Sequence, residues 1–306
     1  MRAKSPVKTP LFDGVYGLNK RNRDLVAPQN PPRLIALAKD KVACKKALEA
    51  LGIPTPREIA VIRSPGEVDR LFPLLEQQEH GFVMKPSRGA LGRGVMLFAR
   101  AEGDGIFPLH GPRMGRHDFQ FFVASIVSGE YTSGRPVDCV LVEERIRPSS
   151  SWVIPDLPGA PDLRVIVYLG VPVMAMIRFP TAASGGRANL HRGGVGVGID
   201  LDEMKTSYGI WKGKSVTHHP DSGAEIGGRT IEGLEECLEL SRRCVKAVPL
   251  GYMGVDIMLD EHTGPSVIEI NARPGLSIQL ANRKGLGTVC RKVASRLAED
   301  NAPDEG

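Results

Sequence analysis

Apolar and polar residues alternate most clearly late in the chain. Gly254-Val255-Asp256-Ile257-Met258-Leu259 and Val267-Ile268-Glu269-Ile270-Asn271 each show the two-residue period of a strand. Asp260 to Gly264 reads as a turn, and Pro265 can open the second strand, where a missing N–H is tolerated. With a loop from Glu261 to Gly264 and Asp260 paired to Pro265, Asp256 falls opposite Glu269, and Asn271 shares the face of Glu269. Two carboxylates set opposite each other repel. A divalent cation between them removes the repulsion. Asp256, Glu269 and Asn271 form an oxygen set that suits magnesium, with manganese as the alternative, and leaves positions for water or phosphate. A solvated hairpin with accidental acids is the plainer reading. The surrounding Ile257, Leu259, Ile268 and Ile270 point instead to a buried hairpin and hence to the metal.

The rest of the chain mixes helix and strand patterns without strict alternation. That predicts an α+β protein with mainly antiparallel sheets, and there is no internal repeat. Residues 1–35, rich in Pro, Asn and Arg and weak in periodicity, read as an arm or cap. Asp40 can cap a helix from Lys41 to about Ala50 that Gly52-Ile53-Pro54 stops. Ser64-Pro65-Gly66-Glu67 starts another helix with a capping-box Glu. Strands are expected at 59–63, 82–85, 94–98 and 137–144, and a helix at about 118–128. Residues 163–169 and 171–179 form a predicted hairpin around Gly170. Thr181 to Ile199 reads as a long polar loop rich in glycine, 231–248 as an amphipathic helix, and the extreme C-terminus as frayed.

Composition narrows the class of protein. A chain of 306 residues with 42% hydrophobic and 25% charged residues has the make-up of a soluble globular protein. Its apolar runs are too short to span a membrane, and its basic N-terminus lacks the apolar segment of a signal peptide. Cys44, Cys139, Cys237, Cys244 and Cys290 are scattered without a CxxC pair, which fits reduced thiols and a cytoplasmic location. A net charge of +5 is explained by a polyphosphate site as well as by nucleic acid. Aromatics at 5% and the lack of a continuous basic stripe argue against nucleic acid.

A second candidate site is Lys85-Pro86-Ser87-Arg88-Gly89-Ala90-Leu91-Gly92-Arg93-Gly94, which a predicted strand enters and another leaves. Gly89, Gly92 and Gly94 let backbone N–H groups approach a ligand closely, and Lys85, Arg88 and Arg93 add positive charge. This is a design for covering phosphates. It is neither a Walker loop nor a dinucleotide fingerprint, because the glycine order differs and a strand follows where those need a helix. Without the basic residues, a long glycine hairpin explains the stretch equally well.

Taken in order, these motifs resemble the ATP-grasp superfamily. Lys41 stands on the early helix, and Lys85 precedes the glycine loop. Val142-Glu143-Glu144-Arg145-Ile146 resembles the segment between the two subdomains, and Asp162-Leu163-Arg164 resembles an Asp-x-Arg element. Asn189-Leu190-His191-Arg192-Gly193-Gly194 and the Asp256, Glu269, Asn271 set complete the series. The last elements look most like the alpha-L-glutamate ligase branch. The resemblance covers roughly residues 36–285. It implies a fold of two α+β subdomains clamping ATP, divided as an arm at 1–35, a first subdomain at 36–141, a second at 142–300 and a tail at 301–306. Members carry a full domain before the first lysine, and here about forty residues stand in its place. That departure suggests that a homodimer mate or partner subunit completes the acceptor site.

The implied reaction joins a carboxylate to an amine through an acyl phosphate, at the expense of ATP. One substrate is a peptide, a protein or a small amine. Lys41, Lys85, Ser87, Arg88 and the amides around Gly89, Gly92 and Gly94 would cover phosphates. Glu143, Glu144 and Ile146 would edge the adenine and ribose. Arg164, Arg178 and Arg273 are candidates for the substrate carboxylate or acyl phosphate, although a surface arginine more often forms a plain ion pair. Asn189 would clamp the acyl phosphate, and His191 is a candidate base in a loop able to close. Two other functions use the same residues: an ATP-dependent phosphotransferase, and an ATP-binding regulatory module without turnover.

Overall fold

The computed structural model describes residues 13–89, 92–132, 137–155 and 159–300. Every strand pair within it is antiparallel, as the unalternating pattern predicts. The first sheet contains β1 (Glu58–Ile62), β2 (Phe82–Pro86), β3 (Met96–Glu102), β4 (Gly105–Pro108), β5 (Met114–Gly115) and β6 (Val140–Glu144), in the order β1-β6-β2-β3-β4-β5. The second contains β7 (Asp162–Tyr168), β8 (Val171–Phe179), β9 (Val195–Asp200), β10 (Lys205–Trp211), β11 (Lys214–Val216), β12 (Tyr252–Asp260) and β13 (Gly264–Asn271), in the order β11-β10-β9-β8-β7-β12-β13.

Two faces of the second sheet are covered, by different parts of the chain. Leu163, Val165 and Val167 alternate inward with Ala175, Ile177, Val255 and Ile257 to make one core. Helices α1 (Pro32–Lys39), α2 (Lys41–Glu49) and, further along the chain, Leu234–Ala247 close it with Ala38, Cys44, Leu48, Cys237 and Cys244. On the opposite face Ile166, Met174, Met176 and Tyr252 pack against Leu25 and Val26 of the N-terminal arm, and against Ile278 and Leu286 of the C-terminal helices. The first sheet has its own core under α3 (Val68–Glu76) and α4 (Arg116–Val127), where the Phe82 and Phe98 rings stack at 4.8 Å.

The boundaries correct the sequence reading in several places. Residues 18–39 are helical almost throughout, because burial against the second sheet supplies what their weak periodicity does not. The arm therefore belongs to the second sheet, and so does α2. A division between residues 141 and 142 falls inside β6, which ends at Glu144. The tail at 301–306 lies outside the described residues, while the helix before it runs to Asp300. The loop expected to reach Ile199 stops earlier, since Val195–Asp200 is the strand β9. Glycines hid its period. A Cβ on Gly196 would come within 2.9 Å of the Leu190 side chain, and one on Gly198 within 2.4 Å of the Ala281 carbonyl.

The late hairpin places Asp256 opposite Glu269, but by another route. The turn is one residue tighter, with Asp260 paired to Gly264 and Leu259 to Pro265. A bulge at Ile268, between the pairs Ile257↔Val267 and Asp256↔Glu269, restores the alignment.

Candidate functional site

The two sheets meet at a narrow cleft lined by α2, β2, β6 and β13. Asp40 caps α2, accepting from the Ala43 N–H at 3.1 Å, so Lys41 starts the helix at the cleft. The Lys41 ammonium donates to the Gly89 carbonyl at 2.8 Å and pairs with Glu269 at 3.1 Å. One side chain thus ties the glycine loop to the acid hairpin. Leu141 and Glu143 point into the cleft, because their neighbours Val140 and Val142 fill the first core.

Lys85 is buried at the end of β2, where it meets Glu143 at 2.5 Å. Glu143, only 3% exposed, is also held by Lys45 at 3.1 Å. Lys45 donates further to Thr55 Oγ1 at 2.8 Å and to the Pro56 carbonyl. The sequence reading missed Lys45, which stands beside Lys46 on a short helix and looks like one of two solvated lysines. Its spacing of four from Lys41 was the available signal, since it puts both on one helix face.

Asp256 stands on β12, opposite Glu269. Arg164 grips it with two bonds, Nε to Oδ1 at 2.7 Å and Nη2 to Oδ2 at 2.6 Å. Arg178 donates to the same Oδ2 at 2.9 Å while pairing through both its fork nitrogens with Asp162. Asn271 Nδ2 lies 3.3 Å from Asp256 Oδ2. Burial opposes ionisation of Asp256, yet the guanidiniums of Arg164 and Arg178 outweigh it and hold the carboxyl at about 2. Burial pushes Asp162 the other way, against the pull of Arg178. Burial also works against the charge on Arg178, but Asp162 and Asp256 more than offset it and raise its pKa.

The hairpin sets Asp256 opposite Glu269 with the Asn271 amide beside Asp256, and the two acids face different partners. Asp256 is neutralised by two arginines and Glu269 by Lys41. Two carboxylates and an amide oxygen match the hard-donor preference of magnesium or manganese. Among the described residues no three His, Cys, Asp or Glu side chains gather into a group that could hold a metal ion. The site fits such a cation provided Lys41 and Arg164 turn to phosphate oxygens instead.

Other predicted residues are placed less centrally. Ser87 Oγ donates to Asp40 at 2.9 Å, and Arg88 reaches the same carboxylate at 2.5 Å. Arg88 thus braces the cap of α2 and does not line the cleft. Glu144 pairs with Arg57 at 2.6 Å, and neither it nor Ile146 lines the cleft. The linker after Glu144 is strapped to the hairpin turn by Asp260, which accepts from the Arg147 N–H at 2.9 Å. Gly92 and Gly94 take positive φ as a tight loop requires, while Ala90 and Leu91 lie outside the described residues. A Cβ on Gly92 would lie 4.0 Å from Asn189 Nδ2, so the two glycine-rich segments meet across the cleft mouth. Asn189 Oδ1 accepts from the His191 N–H at 2.9 Å, which leaves the His191 side chain exposed. Arg273 is exposed just beyond β13, without an ion pair among the described residues.

A family model described as sugar-transfer associated ATP-grasp matches residues 20–295. A protein of Xanthomonas oryzae pv. oryzae named "Probable alpha-L-glutamate ligase" is 27% identical over 248 residues, covering 81% of this chain and 61% of the relative. The cyanophycin synthetase of Trichormus variabilis is 24% identical over 330 residues, covering 95% of this chain and 32% of that protein. Among solved structures, the D-alanine–D-alanine ligase of Bacillus anthracis bound to ATP aligns with a TM-score of 0.45 at 16% identity, over 87% of this chain and 68% of that one. The chain spans about 61% of the length of the first curated relatives it matches. No helix among the described residues is long and apolar enough to cross a membrane.

Proposed function

This chain belongs to the sugar-transfer associated ATP-grasp family, and we propose that it is an ADP-forming carboxylate–amine ligase. A substrate carboxylate oxygen attacks the γ-phosphorus of ATP, the bond to the β-phosphate oxygen breaks, and ADP leaves. The amine nitrogen then attacks the acyl carbon, the carbon–oxygen bond to phosphate breaks, and the nitrogen loses a proton as the amide forms.

The observation that carries this reading is the Lys41 bridge, which joins the carbonyl of Gly89 to Glu269. A cation-holding hairpin and a phosphate-covering loop are useful together only when a polyphosphate lies between them. Lys85 and Lys41 neutralise phosphate oxygens, and the amides of the glycine loop cover them. Glu143 receives Lys45 when Lys85 turns to the ligand. Arg164 and Arg178, a planar pair on one sheet face, orient the carboxylate and the developing oxyanion. Asp256, Glu269 and Asn271 would hold magnesium or manganese, which would neutralise charge on the phosphate oxygens. Asn189 sits where it can close on the acyl phosphate. The similarity to a probable glutamate ligase makes glutamate the first acid to test, with an amino acid, a peptide end or a small amine as acceptor.

The test is a coupled ADP-release screen across amino acids, with and without amines and short peptides, followed by mass spectrometry of the product. Amine-dependent ADP release and hydroxamate formation with hydroxylamine are the expected results. Phosphorylation of an alcohol, or ATP binding without turnover across the panel, contradicts the ligase reading.

A further inference from the structure

The glycine-rich segment after β8 is closed into a loop at its neck and held there from outside. Thr181 Oγ1 and Trp211 Nε1 both donate to the Gly193 carbonyl, each at 2.9 Å, so the two ends of the segment meet. The outside hold comes from the turn that follows β11. His219, 1% exposed, lies 2.9 Å through its Nε2 from the Pro180 carbonyl. Two residues on, the Asp221 carboxylate accepts from the Ala182 N–H at 2.7 Å. None of the roles assigned above uses His219 or Asp221.

The partners of the imidazole fix its proton. A carbonyl only accepts, so Nε2 carries hydrogen. Nδ1 receives the Asp221 N–H at 3.3 Å, so it keeps its lone pair. Both bonds hold together only for the neutral ring with its hydrogen on Nε2. A second proton would set one N–H against another inside the fold. Burial pushes the pKa of His219 below the ordinary 6.5, against the pull of the Pro180 carbonyl and of Asp221. Pro180, Thr181, Ala182, Gly223 and Ala224 bring no charge to the ring, which leaves Asp221 as the ionised group facing it among the described residues.

We propose that His219 is a positioning residue: with Asp221 it latches the root of the glycine-rich segment, and protonation of its Nδ1 frees that segment. What the segment does there rests on the ligase reading above. It carries Asn189, which meets the phosphate loop at Gly92. A latched root keeps the two loops in register across the nucleotide. A freed root loses the polar clamp and loosens the hold on phosphate. Because the folded pKa is depressed, the latch is complete above about pH 6.5 and is lost as pH falls below it.

Hydrogen exchange of the whole unliganded chain tests the latch, read by mass spectrometry at about pH 7.5 and about pH 5.5 and corrected for intrinsic rates. Opening of residues 181–194 should rise about tenfold at the lower pH, while the β12–β13 hairpin keeps its protection. His219→Gln, which does not titrate, should remove that response, and the exposed neighbour variant His218→Gln should keep it. No response in the wild type, or an equal one in His219→Gln, overturns the proposal. Should His219→Gln not fold, imidazole nitrogen NMR of the wild type decides. Hydrogen on Nε2 with a midpoint below 6.5 supports the latch, and hydrogen on Nδ1 or an unshifted midpoint overturns it. Calorimetry with Mg and a β,γ-imido ATP analogue checks the positioning. From the higher to the lower pH the wild type should weaken about threefold relative to His219→Gln, a comparison in which titration of the nucleotide cancels. An unchanged ratio makes His219 a mere brace and overturns the proposal. If neither protein binds the analogue while exchange responds, the ligase reading fails and the latch stands.

Discussion

Two clusters of charge, one at the first sheet and one within the second, are balanced differently. At the first sheet Lys85 and, from α2, Lys45 share one buried carboxylate, Glu143. On the second, Arg164 and Arg178 meet Asp162 and Asp256 one for one. The first cluster has a cation to spare, so Lys85 can leave for a phosphate without stranding Glu143. The second has none, and removing any member exposes a buried charge. The count of partners thus sets how each cluster can give a side chain to a ligand: the first releases Lys85 freely, and the second releases an arginine only when a cation takes over its carboxylate.

The comparison breaks most sharply at Asp256. Asp256→Asn should destabilise the protein by about 3 kcal/mol, because the buried Arg178 and the part-buried Arg164 lose their shared acid. Urea unfolding at neutral pH measures this, and an unchanged midpoint means the cluster is looser than its geometry implies. The same residue sets an acid limit. Its folded carboxyl is held at about 2, below the ordinary 3.8, so its contribution is complete above about pH 4 and is lost as pH falls toward 2. The wild type should lose stability in that window, and Asp256→Asn should lack this component.

Glu269→Gln separates the metal from the fold. Its side chain is one-third exposed, so stability should shift by less than about 1 kcal/mol. Magnesium-dependent ADP release should nevertheless fall by about a hundredfold, roughly 2.7 kcal/mol. Full activity at ordinary magnesium contradicts the cation assignment. Lys85→Ala probes the spare cation, and the ATP dissociation constant should rise about tenfold, or ~1.4 kcal/mol. Arg88→Ala should have the smallest effect, under about threefold on ATP affinity, because its guanidinium faces Asp40 outside the cleft. A larger loss there would return Arg88 to the phosphate site.

What the sequence disclosed follows local period. The Asp256 and Glu269 pairing was legible because apolar residues alternate on both arms of the hairpin. The Asp40 cap and the Gly170 hairpin were legible for the same local reason. Strand β9 was not, since Gly196 and Gly198 stand where close neighbours leave no room for a side chain. The helical arm was not, because its order comes from packing on a sheet formed more than a hundred residues later. Lys45 escaped notice, as did the hold of Asp260 on the Arg147 N–H, because nothing local marks either. A neighbouring lysine and a turn are ordinary surroundings, and only tertiary contacts show what those side chains bind.

The unpaired Ile268 acts as a phase shifter. It converts a tight turn, which alone would carry Ile268 toward Asp256, into one that delivers Glu269. Parity, more than length, is therefore what the hairpin must conserve. Deleting Ile268 should close the bulge and still set Glu269 opposite Asp256, whereas drawing Ile268 into the ladder would send Glu269 and Asn271 into the hydrocarbon behind the sheet.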